Sequence, residues 1–145
     1  MSAFINKWKT LVGVSAVLLS IGMSTHAAPC TNASLIGSYG IQEQGMHTDS
    51  AGVFSEFRSI GTISFNGQGA GTKNDTLWFR DFTVSPSQNT VTYVVRSDCR
   101  FTFTYDSNGE SFEGVIVANG TKLLYMETSG DPVRNGQAEK IKTQQ

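Results

Sequence analysis

Cysteine and histidine occur twice each in this 145-residue chain and proline three times, and each shortage excludes something. Beyond the first 27 residues the only histidine is His47, so a zinc site, which needs about four nitrogen or sulfur ligands, has too few candidates. No metal site is expected, and no cofactor. Basic residues are not in excess: from Ala28 onward nine Lys and Arg face 12 acids. A nucleic-acid partner, which would require a basic face, is therefore not expected. No Gly-x-Ser-x-Gly elbow is present, and no Gly-Lys-Ser/Thr phosphate loop. Asp49, Asp75 and Asp106 are scattered rather than spaced as a calcium loop. Long apolar runs are also missing, with one exception at the N-terminus.

That exception reads as an export signal over residues 1–27. Lys7 and Lys9 form a short basic start, and Leu11 to Met23 is an apolar run too short for a comfortable membrane span. Thr25-His26-Ala27 places small residues at the −3 and −1 positions of a cleavage site. The mature chain is then expected to begin at Ala28 and to be secreted or periplasmic. Residues 28–142 suffice for one domain with a single core, followed by a polar tail over 143–145. No second run reaches membrane-spanning length, so no span is expected in the mature chain.

Two cysteines in an exported chain most simply form one disulfide, Cys30 to Cys99. It closes a loop of about 70 residues and contributes roughly 4 kcal/mol on the chain-entropy model.

From Cys30 onward the pattern alternates with a period of two. Leu35 to Gln44 reads as a first strand, Gly45 to Gly52 as a loop, and Val53 to Phe65 as a long strand. Within it Gly61 suggests a bulge or bend, because Phe54 and Ile60 run opposite in phase to Phe57, Ile63 and Phe65. Asn66-Gly67-Gln68-Gly69 predicts a hairpin turn. Further strands are expected over Ala70–Phe79, Phe82–Val84, Thr90–Ser97, Arg100–Tyr105, Glu110–Val117, Thr121–Thr128 and Gln137–Ile141. No mature window supports a useful amphipathic helix. The prediction is all-β: one antiparallel meander of 7–8 strands, as a closed barrel because closure removes exposed edges, with a β-sandwich as the alternative.

Three segments carry a resemblance. Cys30 followed by Leu35-Ile36-Gly37-Ser38-Tyr39-Gly40, then Val94-Val95-Arg96-Ser97-Asp98-Cys99, then Val133-Arg134-Asn135-Gly136-Gln137-Ala138 resemble the opening, second cysteine and end of small exported bacterial β-proteins. Such proteins look like calycin-type barrels, the architecture of lipocalins, avidins and dirigent or allene oxide cyclase-like proteins. Tyr39 stands where the lipocalin Gly-x-Trp has tryptophan. The resemblance implies architecture far more than activity.

Aromatic residues concentrated on strands supply two readings. Tyr39, Trp78, Phe79, Phe101, Phe103 and Tyr125 are candidates for the walls of a cavity that binds a small, largely apolar ligand. Alternatively, they fill the core of a solid barrel. Trp78-Phe79 beside Arg80-Asp81 would suit a barrel mouth.

Among polar groups, Glu43 shares phase with Tyr39 and Ile41, Glu127 with Leu123 and Tyr125, and Arg96 with Val94. With Tyr93 these are the candidates for acid–base work in a cofactor-free cyclase or isomerase of the dirigent or allene oxide cyclase-like kind. The simpler alternative puts each charge at a strand end near water. His47 reads as an exposed loop residue. A third reading is a structural or interaction protein of the cell envelope, for which an apolar outer patch and no lumen would be the sign.

Overall fold

The computed structural model describes residues 28–48, 51–80, 82–129 and 133–142. The export signal read over 1–27 and the tail over 143–145 lie outside them. Eight strands follow in chain order: β1 (Ile36–Thr48), β2 (Phe54–Asn66), β3 (Ala70–Phe79), β4 (Phe82–Val95), β5 (Arg100–Tyr105), β6 (Ser111–Val117), β7 (Lys122–Glu127) and β8 (Arg134–Lys140). Each pairs antiparallel with the next, and β8 pairs with β1, so the sheet closes into a barrel without a free edge. The barrel, not the sandwich, is the fold.

Alternation drives closure. On β5, Phe101, Phe103 and Tyr105 point inward and are buried, while Arg100 and Thr102 face solvent. On β1, Tyr39, Ile41 and Glu43 point inward between exposed Ser38, Gln42 and Gln44. Leu123, Tyr125 and Glu127 do the same on β7. The interior is thus fixed by which of two phases holds the aromatic residues.

Three local expectations are corrected. The hairpin of β1 and β2 is longer than the sequence suggested, since β1 continues through Thr48 where a loop was expected from Gly45. Gly61 marks no bulge: the ladder with β1 runs unbroken through Ile41 and Gly61. Its hydrogen is needed for the other neighbour, because a Cβ there would lie 2.2 Å from the Asn74 carbonyl oxygen and 2.5 Å from the Asp75 Cα. The irregularity sits instead between β3 and β4, where Asp75 pairs Ser87 but Leu77 pairs Val84. Ser85 and Pro86 there oppose Thr76 alone, and a proline without an N–H is tolerated at such a bulge. The two extended pieces expected on either side of Pro86 are therefore one strand, β4.

The ends of the barrel are closed differently. At one end the N-terminal segment crosses the opening. Cys30 is disulfide-bonded to Cys99, Leu35 is fully buried, and the Asn32 side chain accepts a hydrogen bond from the Val95 amide at 2.7 Å. Above it lies the main apolar core of Tyr39, Phe65, Tyr93, Phe101, Phe103, Phe112 and Leu123. At the other end, where β1 leads to β2, β3 to β4 and β7 to β8, the interior turns polar.

Candidate functional site

The polar end of the lumen is built around Lys73. Its strand, β3, starts at the Asn66–Gly69 turn, which sets Phe65 opposite Gly71, Ile63 opposite Lys73 and Gly61 opposite Asp75. Because Ile63 and Phe65 face inward, Lys73 and Asp75 must as well. Lys73 is 2% exposed, and its ammonium donates to three acceptors from three strands. These are Glu43 Oε2 at 2.8 Å, Asp75 Oδ2 at 2.8 Å and the Tyr105 hydroxyl at 2.7 Å. All three ammonium protons are thereby matched.

The carboxylates have partners of their own. Tyr125 donates to Glu43 Oε1 at 2.9 Å, reaching β1 from β7 across β8. That reach requires glycine in between: a Cβ on Gly136 would lie 2.6 Å from the Tyr125 ring. The Ser59 hydroxyl donates to Asp75 Oδ2 at 2.5 Å. Asp75 Oδ1 is buried with no hydrogen-bond partner among the described residues. Burial, then the nearby Glu43 carboxylate, holds the Tyr105 hydroxyl well above the usual tyrosine range. The same two causes in the same order raise Tyr125. Both are proton donors at any physiological pH.

Arg134, the first residue of β8, closes this end. Its guanidinium carbon lies 5.1 Å from the Phe57 ring centroid and 5.5 Å from that of Phe112. Its Nε donates to Glu127 Oε2 at 2.6 Å, and a terminal nitrogen pairs with Glu110. Burial opposes the charge, but the hydrogen bonds of Glu127 and Glu110 outweigh it and hold Arg134 above its ordinary range. Outside this plug, Phe79 packs on Phe57 at 5.5 Å and on His47 at 5.1 Å. His47 is exposed as expected, though on β1 rather than in a loop.

The residues singled out from the sequence are divided by this geometry. Glu43 and Tyr125 meet in one hydrogen bond, while Glu127 is paired separately with Arg134. Glu43 and Glu127 do not sit at watery strand ends; both are buried in the lumen. Tyr93 is at the opposite end, donating to the Leu35 carbonyl at 3.0 Å, and Tyr39 donates there to the Gly120 carbonyl at 2.9 Å. Phe101 and Phe103 are buried in the aromatic stack above them. Arg96 is exposed on the chain just after β4, 3.5 Å from Asp98. Trp78 points outward, 40% exposed, and bounds a hollow on the outer wall with Gln42, Arg58 and Ile60. It is therefore separated from Phe79 by the thickness of the sheet.

Sequence reasoning passed over Lys73, Asp75, Ser59 and Arg134. The signal for the first two was available in the hairpin register. Counting onward from the Asn-Gly turn assigns Gly71, Lys73 and Asp75 to the inward phase. Arg134 offered no such signal, since its position depends on β8 closing onto β1.

No protein-family model matches the chain. No curated protein matches it either. Among solved structures it is similar to one described as a de novo design of a fluorescence-activating beta barrel, with 16% identity, a TM-score of 0.48, and coverage of 74% of this chain and 94% of that one. The calycin-type resemblance thus has no family match behind it, and the assignment that stands is architectural: this chain forms a closed, antiparallel, eight-stranded β-barrel.

Proposed function

We propose that the protein is a small-molecule-binding barrel whose site is the polar end of the lumen, entered where Arg134 and Glu110 meet solvent. One observation carries this reading: the Glu43–Lys73–Asp75 group is buried inside a barrel whose other half is filled with apolar side chains. Burying these charges costs several kcal/mol per ion before pairing, and well-packed apolar residues would hold the barrel at least as well. Ionisable side chains concentrated at one end of a lumen are the common mark of a binding or reacting site. The ligand this end favours is amphipathic rather than largely apolar. A polar head would meet Glu43, Lys73 and Tyr105, and a flat body would lie against Phe57 and Phe112, where the Arg134 guanidinium now sits.

The test is a titration of the protein with benzamidine, benzoate, benzyl alcohol and indole, followed by NMR of the Tyr105 and Tyr125 ring signals. At least one compound is expected to shift both, and Glu43→Gln to weaken it. Unmoved ring signals with all four would sink the reading.

The outer wall favours a second reading as an interaction protein. Val115, Leu124 and Met126 are all exposed and adjoin across β6 and β7. Under either reading we place the protein outside the cytoplasm, on the export signal read over 1–27 and the Cys30–Cys99 disulfide. Recovery of a chain beginning at Ala28 from the extracytoplasmic fraction checks it.

A further inference from the structure

The plug itself has the form of a binding site. Its parts are two aromatic rings, Phe57 and Phe112, and two carboxylates, Glu110 and Glu127, arranged around a guanidinium that belongs to the chain. Faces of aromatic rings attract cations electrostatically, and a carboxylate gives a planar guanidinium directed hydrogen bonds. The charge balance behind the plug points the same way. Four carboxylates, Glu43, Asp75, Glu110 and Glu127, share two cations, Lys73 and Arg134. Asp75 Oδ1, on a side chain with no exposure, has no donor among the described residues. With Arg134 displaced, an anionic or neutral ligand would leave four carboxylates facing Lys73 alone, whereas a cationic one restores a partner to Glu110 and Glu127.

We propose that the lumen takes an organic cation, a guanidinium or amidinium on a flat apolar body, and that Arg134 occupies the cage in its absence. The inference rests on the lumen as a small-molecule site and adds the class of ligand and the means of closure. Arg134 suits the part because it is the first residue of its strand, so its side chain can leave the cage without breaking the middle of the β8 ladders. On leaving, it uncovers the rings of Phe57 and Phe112 that it now faces. Binding is then a competition between two cations for one cage. Affinity in the unaltered protein is lowered by the fraction of molecules in which Arg134 is in place.

Calorimetric titration with benzamidine, at fixed ionic strength, tests this on the full mature chain and on Arg134→Ala. The variant is expected to bind at least tenfold more tightly than the unaltered protein. Adding Glu127→Gln should remove most of that gain, and benzoate should bind neither form. Arg134→Met, which fills the volume with an apolar chain, serves where the alanine variant does not fold. It should lose the competing charge and still bind benzamidine more tightly than the unaltered protein. Equal affinity of benzamidine for variant and unaltered protein, or preference for benzoate, overturns the inference. If benzoate or indole nevertheless shifts the Tyr105 and Tyr125 signals, the lumen remains a binding site and only the cationic class is lost. If no compound moves them, both readings fall.

Discussion

The two halves of this lumen solve the same packing problem with opposite chemistry. Below, Phe101, Phe103, Phe112, Phe65 and Tyr93 interlock with ring centroids 4.6–6.1 Å apart. Even the tyrosine hydroxyls there are turned to backbone carbonyls of the closing segments. Above, β1, β3, β5 and β7 present Glu43, Lys73, Asp75, Tyr105 and Tyr125 to one another. The lower half gains stability from area and contact. The upper half holds together only while every charge keeps its partner, since loss of one leaves another stranded in low dielectric. A barrel needing only to be filled would not require the second arrangement, and this difference motivates a binding role.

Two substitutions with the largest expected effects set the halves against each other. Lys73→Ala strands two buried carboxylates and is expected to cost about 3–5 kcal/mol in urea denaturation. Phe103→Ala, which empties the lower stack, should cost about 3–5 kcal/mol as well. The contrast appears on compensation. Replacing Glu43, Lys73 and Asp75 together by Leu, Met and Leu should recover most of the lost stability, whereas no polar triple at Phe101, Phe103 and Phe112 should fold. If the apolar triple in the upper half stays as unstable as Lys73→Ala, the network is structural and the contrast is broken.

Next in size is the disulfide. Cys30→Ser with Cys99→Ser should lower stability by about 2–4 kcal/mol. Hydrogen exchange should quicken first at Val95, whose amide is held by Asn32, and later near Tyr105.

Raising the pH probes the upper half alone. Unfolded tyrosine loses its proton near pH 10, while Tyr105 and Tyr125 keep theirs well above that in the native state. The native state then binds more protons than the unfolded chain, so stability is fully present below about pH 10 and falls above it. The slope is about 1.4 kcal/mol per pH unit for each such group. Tyr125→Phe should flatten the decline, at a cost near 1.5–3 kcal/mol at neutral pH for the hydrogen bond lost to Glu43. Smallest of all, Arg96→Ala should change stability by less than about 0.5 kcal/mol, because its pairing with Asp98 is solvent-exposed.

Much of this was legible in the residues. The inward phase of Phe101, Phe103 and Tyr105 follows from alternation alone, and so does that of Glu43 beside Tyr39 and Ile41. The cysteine pair followed from its number and the export signal. What escaped was of two kinds. Lys73 and Asp75 were hidden because charged residues in a strand are ordinarily assigned to solvent, although the adjoining turn fixes their register. Trp78 was misleading for the converse reason: a large aromatic suggests a lumen, yet alternation from inward Phe79 puts Trp78 on the outer wall.

The sequence by itself determined an all-β chain, the succession of its strands, the phase of those that alternate cleanly and the cysteines that staple one end. These are local matters, decided by period-two patterning and by turns whose backbone needs glycine or asparagine. Only the tertiary structure decided which inward residues share a height. Tyr125 meets Glu43 across Gly136 because β8 closes onto β1, and Arg134 enters between Phe57 and Phe112 for the same reason. Closure joins residues some 80 positions apart, and no local pattern encodes that distance.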